Sequence, residues 1–195
     1  MNGKKTTPEY NIKNGDVILH LKQRTETPVF SYPIKVIHED DALVVVDKPP
    51  SMPVHPCGNF KYNTLSEIMR LEMGYSDLKP AHRLDRQTSG IVFFAKTNIE
   101  AEKFRIRFTE DKNRKVYLAR VKGKMELGKK LERKDYIYCV AFKDNIYDSK
   151  VTLEEVPEDK KAIAKDAWTE FKTVSYDEAT NTTLVKCYPH TGRSH

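Results

Sequence analysis

The sequence predicts an α+β domain organised around a mixed, mostly antiparallel sheet with flanking helices. Three observations predict it. Strand-like segments outnumber helical ones, the strand segments are short β-branched runs separated by turn residues, and 195 residues at 38% hydrophobic content give room for one ordinary core.

Residues 1–28 are polar and alternate in charge, so they read as an N-terminal arm; within it Asp16-Val17-Ile18-Leu19-His20-Leu21 has the composition of a short strand. The domain proper is expected over 29–195. Ile34-Lys35-Val36-Ile37 and Leu43-Val44-Val45-Val46 flank the turn-like Glu39-Asp40-Asp41 and predict two adjacent strands. Pro49, Pro50, Pro53 and Pro56 then forbid both a helix interior and a regular ladder, so Lys48 to Gly58 is expected as an extended loop. Asn63 or Thr64 can cap a helix carrying Leu65, Ile68, Met69 and Met73 and ending at Gly74. Ile91-Val92-Phe93-Phe94-Ala95 is too short and too uniformly apolar for a surface helix and reads as a buried strand. A second helix starts near Asn98, with Ala101, Phe104 and Phe108 on one face. Later strands are expected at Val116–Val121, Tyr136–Phe142, Asp148–Leu153, Thr169–Val174 and Thr183–Cys187. The Lys-, Glu- and Arg-rich run from Lys122 to Lys134 reads as a solvated connection.

Thirty-four Lys and Arg against 28 Asp and Glu give a net charge of +6, which favours a polyanionic partner without proving one. No apolar run is long enough to span a bilayer and no secretory h-region opens the chain, so an intracellular protein without membrane association is expected. Cys57, Cys139 and Cys187 are odd in number and widely spaced, which fits reduced thiols. His55 with Cys57, and His190 with His195, lack a second pair at zinc-finger spacing, so no metal is expected.

The chemistry concentrates in His82-Arg83-Leu84-Asp85-Arg86-Gln87-Thr88-Ser89-Gly90. A carboxylate at a loop-to-strand junction is held by the sheet yet stays accessible, and flanking arginines favour its ionised form. Local chemistry alone favours the plainer reading, a structural Asp85 capping a turn with Thr88 and Ser89.

The nine-residue string HRLDRQTSG resembles the HRLDxxTSG signature of RluA-type pseudouridine synthases. Three further segments agree in order: IHEDDALVVVDKPPSMPVHP from Ile37 to Pro56, Lys115 to Gly123 as the KxYxAxVxG strand, and Thr191 to His195 as the start of the TGRxHQxR strand. The resemblance implies that Asp85 acts at the ribose carbon of a target uridine. It implies that Tyr117 stacks on the uracil and assists proton transfer from C5, and that Arg193 pairs with the catalytic carboxylate. Arg83 would occupy the space vacated by the flipped uridine, with His82 and Arg86 also at the RNA. An isomerisation has no redox change, so no cofactor is expected. Pro53 to Gly58 with Asn63-Thr64, and Asn14-Gly15-Asp16 with Arg24 to Val29, are most similar to the eukaryotic branch acting on transfer-RNA anticodon loops, although Gln23 stands where that branch has His. RNA is therefore the expected partner, transfer RNA first and ribosomal or other RNA as alternatives, and a monomer is expected. Because His195 falls inside the last motif, the resemblance also implies that the C-terminal part of the catalytic domain is missing. A catalytically incomplete RNA-binding remnant is the main rival reading.

Overall fold

A computed structural model describes residues 2–19, 23, 25–109, 115–141 and 146–193. The described strands form two sheets, and every pairing between them is antiparallel. The α+β class holds; its strands divide into two sheets instead of gathering into one.

The first sheet has the order β1-β2-β4-β3, with β1 at Lys35–Glu39, β2 at Leu43–Lys48, β3 at Lys79–Pro80 and β4 at Gly90–Ala95. Asp40 closes the first hairpin: its carboxylate accepts from the backbone N–H groups of Ala42 and Leu43 at 2.8 and 2.9 Å. β2 lies between β1 and β4, which is why Val44, Val45 and Val46 form an unbroken apolar run and are all buried. Helix α1, Leu65–Glu72, starts at Thr64, whose hydroxyl accepts from Glu67 N–H, and buries Leu65 and Met69 one turn apart. These join Val44, Val46, Met52, Val54, Leu84, Val92 and Phe94 in the main core.

The other face of β4 is covered by α2, Asn98–Thr109. Phe93 lies 6.4 and 5.7 Å, between ring centroids, from Phe104 and Phe108. The buried strand expected over Ile91–Ala95 is thus covered on both faces except at Ile91, which is 53% exposed because the aromatic cover stops at Phe93.

The second sheet has the order β5-β9-β8-β6-β7, comprising β5 Tyr117–Lys122, β6 Lys130–Ala141, β7 Ile146–Lys150, β8 Lys165–Asp177 and β9 Thr182–Pro189. All five expected strands are present, but β6 begins at Lys130, inside the run expected to be a solvated connection. Its first half is exposed and so shows no apolar alternation, yet its backbone pairs with β8 from Lys130↔Lys172 to Ile137↔Lys165. β7 ends before Leu153 because the Glu155 carboxylate accepts from the N–H groups of Val151 and Thr152, both at 3.1 Å, and folds the chain into a turn. Phe142 lies outside the described residues. The short helix α3, Glu158–Lys161, was not anticipated; its sequence EDKK carries no apolar period to read.

In the arm, residues 16–19 form no strand. Val17 instead exchanges hydrogen bonds with Asn2, while Val17, Ile18 and Leu19 stay exposed. His20 and Leu21 lie outside the described residues. Further along, the Glu26 carboxylate accepts from the N–H groups of Tyr62 and Asn63, and Phe30 N–H donates to Ser51 Oγ, so the chain before β1 is fastened to the loops around α1.

Candidate active site

Asp85 sits in a loop held at three points. Leu84, immediately before it, is buried in the main core. Thr88 N–H donates to the Asp85 carbonyl at 3.0 Å and closes a turn. Gly90 then starts β4 with φ of +124°, a backbone conformation that disfavours any residue with a Cβ, although no neighbouring atom would obstruct one. The result is a half-buried carboxylate at the end of a strand paired on both sides.

Beneath this loop lies Lys48, the last residue of β2, opposite Gly90 and completely buried. Its Nζ donates to the carbonyls of Pro49 and Met52 at 2.9 Å each and to that of Arg86 at 3.2 Å. A single ammonium therefore ties the proline loop to the loop carrying Asp85. Burial pulls the Lys48 pKa down from 10.5 to about 8, and the negative charge of Asp85 opposes part of that fall. The sequence reading assigned Lys48 no role. The available signal was a lysine ending an otherwise apolar strand and followed by two prolines.

Tyr117 reaches the same place from the other sheet. It is the first residue of β5, and its ring packs against the main core of the first sheet. Burial raises its pKa, and the Asp85 charge raises it further, so the phenol stays protonated at neutral pH. Asp85 and Tyr117, 32 positions apart in the sequence, are thus brought together.

Arg83 and Arg86 are exposed on either side of Asp85. The Arg86 guanidinium lies 5.6 Å over the Phe60 ring. His82 is placed differently from these two. Its Nε2 accepts from Phe93 N–H at 3.3 Å, and its ring lies 5.0 Å from that of Phe108 and 5.7 Å from that of Phe93. Burial, and secondarily the charge of Lys115, lower its pKa, so it is a neutral brace between the loop, β4 and α2.

Arg193 is not on Asp85. Its Nε donates to the Asp166 carbonyl at 2.7 Å and its terminal nitrogen to the Asp166 carboxylate at 3.1 Å. The reason is register. Beyond Thr169↔Pro189, the chain continues alongside β8, with His190 and Thr191 N–H groups donating to the Trp168 carbonyl and Trp168 N–H donating to Thr191 Oγ1. That path sets Arg193 beside Asp166. The same path brings Gly192 to within 3.9 Å, at its would-be Cβ, of Lys115 Nζ. Ser194 and His195 lie outside the described residues.

Among the described residues no group of three or more His, Cys, Asp or Glu side chains could hold a metal, and no helix is long and apolar enough to cross a membrane. Cys57, Cys139 and Cys187 are free thiols.

The RNA pseudouridylate synthase family matches residues 42–195. The chain is 38% identical over 184 residues to the tRNA pseudouridine(32) synthase, mitochondrial, of Saccharomyces cerevisiae, covering 94% of this chain and 37% of that protein. It is 35% identical to human pseudouridylate synthase RPUSD2, over 94% of this chain and 31% of the relative. The chain thus spans about a third of the length of these two relatives. The solved structure of human RNA Pseudouridylate Synthase Domain Containing 1 shares the fold, with a TM-score of 0.65 at 19% identity over 86% of this chain and 63% of that one.

Proposed function

Because the chain belongs to the RNA pseudouridylate synthase family, we propose that it carries the catalytic centre of an enzyme that isomerises uridine to pseudouridine in RNA, with Asp85 as the acting carboxylate. The observation that carries this reading is the meeting of Asp85 and Tyr117 from two different sheets over the buried Lys48 ammonium.

In the proposed reaction Asp85 acts at C1′ of the flipped uridine, and the bond from C1′ to N1 breaks with its electron pair going to the base. The freed uracil turns within the pocket, C5 bonds to C1′, the C5 proton leaves and N1 gains a proton. Atoms and electrons balance within the nucleotide, so the chemistry calls for no redox carrier, ATP or metal. Tyr117 offers its ring as a stacking surface. Its protonated hydroxyl suits a relay, receiving the C5 proton as it passes its own onward, better than a phenolate base. Arg83, exposed beside the site, is placed to fill the gap left in the RNA. Arg86 is placed to meet the backbone, while His82 positions the loop from within the aromatic cluster. For Arg193 to grip the Asp85 carboxylate it has to release Asp166, an exchange of one ion pair for another.

Transfer RNA is the proposed substrate, supported by the yeast relative's being a tRNA pseudouridine(32) synthase and by the anticodon-loop resemblance of Pro53 to Asn63. We place the protein inside the cell, acting as a monomer. The test is to incubate the full-length protein with total cellular RNA and map new pseudouridines by carbodiimide-dependent reverse-transcription stops. Stops in anticodon loops support the full reading, and stops confined to ribosomal RNA overturn the substrate. RNA retention without any new stops favours the RNA-binding remnant, for which the Arg193–Asp166 pair is the observation in favour.

A further inference from the structure

Lys130, Lys172 and Lys186 stand directly opposite one another on three neighbouring strands. The register places Lys130 against Lys172 across β6 and β8, and Lys172 against Lys186 across β8 and β9. Leu118 of β5, opposite Lys186, ends the row at the edge of the described sheet. All three lysines are exposed, and among the described residues none has an acidic partner within 4.0 Å. The nearest acids on the same face, Glu132 and Glu170, are engaged by Lys134 at 3.1 Å and His190 at 2.9 Å. Sheets ordinarily avoid like charges at directly opposed positions, because cross-strand neighbours sit only about 5 Å apart at Cβ. Three in a line, none of them ion-paired among the described residues, is a cost to the fold that Glu132 and Glu170 in the next row only partly offset.

The row lies on the face away from the candidate active site. One position along, the adjoining row is Leu131, Phe171, Cys187 and Tyr117, and successive residues of a strand point to opposite faces. Tyr117 therefore faces the core of the first sheet while the lysines face outward. β5 is the hinge between the two surfaces, since it carries Tyr117 on one side and Leu118 on the other.

We propose that the Lys130–Lys172–Lys186 row is a second RNA-binding surface that takes the phosphodiester backbone of a part of the substrate distant from the target uridine, reached around the β5 edge. This rests on the RNA reading above. A row of cations at strand spacing fits the consecutive phosphates of a nucleic-acid strand, and ammonium groups that meet phosphate oxygens carry no base-sequence information. It extends the surface that recognises folded RNA beyond the reach of a small stem-loop.

The test compares the full-length protein with its K130Q/K172Q/K186Q and K130R/K172R/K186R variants, in filter binding to a full-length transfer-RNA transcript and to its isolated anticodon stem-loop over a potassium chloride series. For the full transcript the slope of log affinity against log salt should fall by about 2 to 3 in the glutamine variant, from roughly 0.7–0.9 per lost phosphate contact. The arginine variant should keep the parent slope, and the stem-loop slope should be the same in all three proteins. The glutamine variant should unfold at a temperature no lower than the parent, because the opposed charges are gone. Equal slopes for parent and glutamine variant on the full transcript overturn the proposal. So does loss of binding to phosphatidylserine vesicles with RNA binding intact, which would assign the row to an anionic membrane. Pseudouridine formation by the parent on the stem-loop reports separately on the catalytic reading: its failure with an intact change in slope removes the activity and leaves the surface.

Discussion

Replacing Lys48 by Met should separate stability from activity. The side chain is completely buried, its ammonium serves three carbonyls on two loops, and Met has similar length without charge. Keeping that ammonium charged costs the fold about 3 kcal/mol, the equivalent of a pKa held at about 8 instead of 10.5. Against this, three hydrogen bonds from a charged donor contribute about 1.5 kcal/mol or more each. The net loss on substitution is therefore modest, about 1–3 kcal/mol at neutral pH. Activity should suffer more. Without the ammonium the Arg86 carbonyl has no anchor to the proline loop, and a displacement of about 1 Å in the loop bearing Asp85 is worth roughly a hundredfold in kcat/KM. The pH dependence carries the signature. A lysine with a folded pKa below its unfolded value makes the protein more stable as pH rises from about 8 to 10.5, because the unfolded chain still binds the proton that the folded one has lost. Activity moves the other way: a neutral amine has two protons for three carbonyls and no charge beside Asp85. The full-length enzyme should therefore lose kcat/KM above about pH 8 while its unfolding midpoint does not fall. Tyr117 does not produce that limb, since its pKa is raised from 10.0. The assay is tritium release from RNA labelled at uridine C5, followed across pH, with thermal unfolding in parallel. Parent-like kcat/KM in Lys48→Met, or a limb near pH 8 that survives the substitution, would refute the reasoning.

Four further outcomes are expected. Asp85→Asn should abolish pseudouridine formation while RNA binding stays within a few fold, measured on the full-length protein; residual turnover above about a tenth of the parent rejects the nucleophilic role. Tyr117→Phe keeps the stacking ring and loses the relay, so kcat should fall about a hundredfold with KM little changed, whereas Tyr117→Ala should raise KM as well. Asp166→Ala removes the partner now holding Arg193 at an exposed site; it should cost no more than about 1 kcal/mol in urea unfolding and leave turnover within about twofold. A large loss of activity would show that the Arg193–Asp166 pair itself matters. Phe94→Ala, at a fully buried position in the main core, should destabilise by about 3–5 kcal/mol in the same measurement.

Local patterns were legible where side chains announce their surroundings. Thr64 as a helix cap, the buried valines of β2 and the apolar run of β4 all follow from period and propensity. The exposed half of β6 did not, because a ladder of backbone hydrogen bonds needs no apolar side chains and leaves no period to read. The same limit hid the division into two sheets: strand pairing is a property of partners, and the sequence lists strands one at a time.

For the site, the sequence alone determined which residues are candidates for the chemistry, since HRLDRQTSG and its companion motifs single out Asp85, Tyr117 and Arg193 by identity and order. Tertiary structure decided what surrounds each of them. It brought Tyr117 to Asp85 across the junction of two sheets, set Arg193 on Asp166 through the register of β8, and turned His82 inward among Phe93 and Phe108. It also made Lys48 part of the site, because burial, and with it a lowered pKa and an obligation to find three carbonyls, exists only once the chain has closed over the ammonium. Residue type is written locally, whereas desolvation and distance arise only when segments far apart in the chain meet.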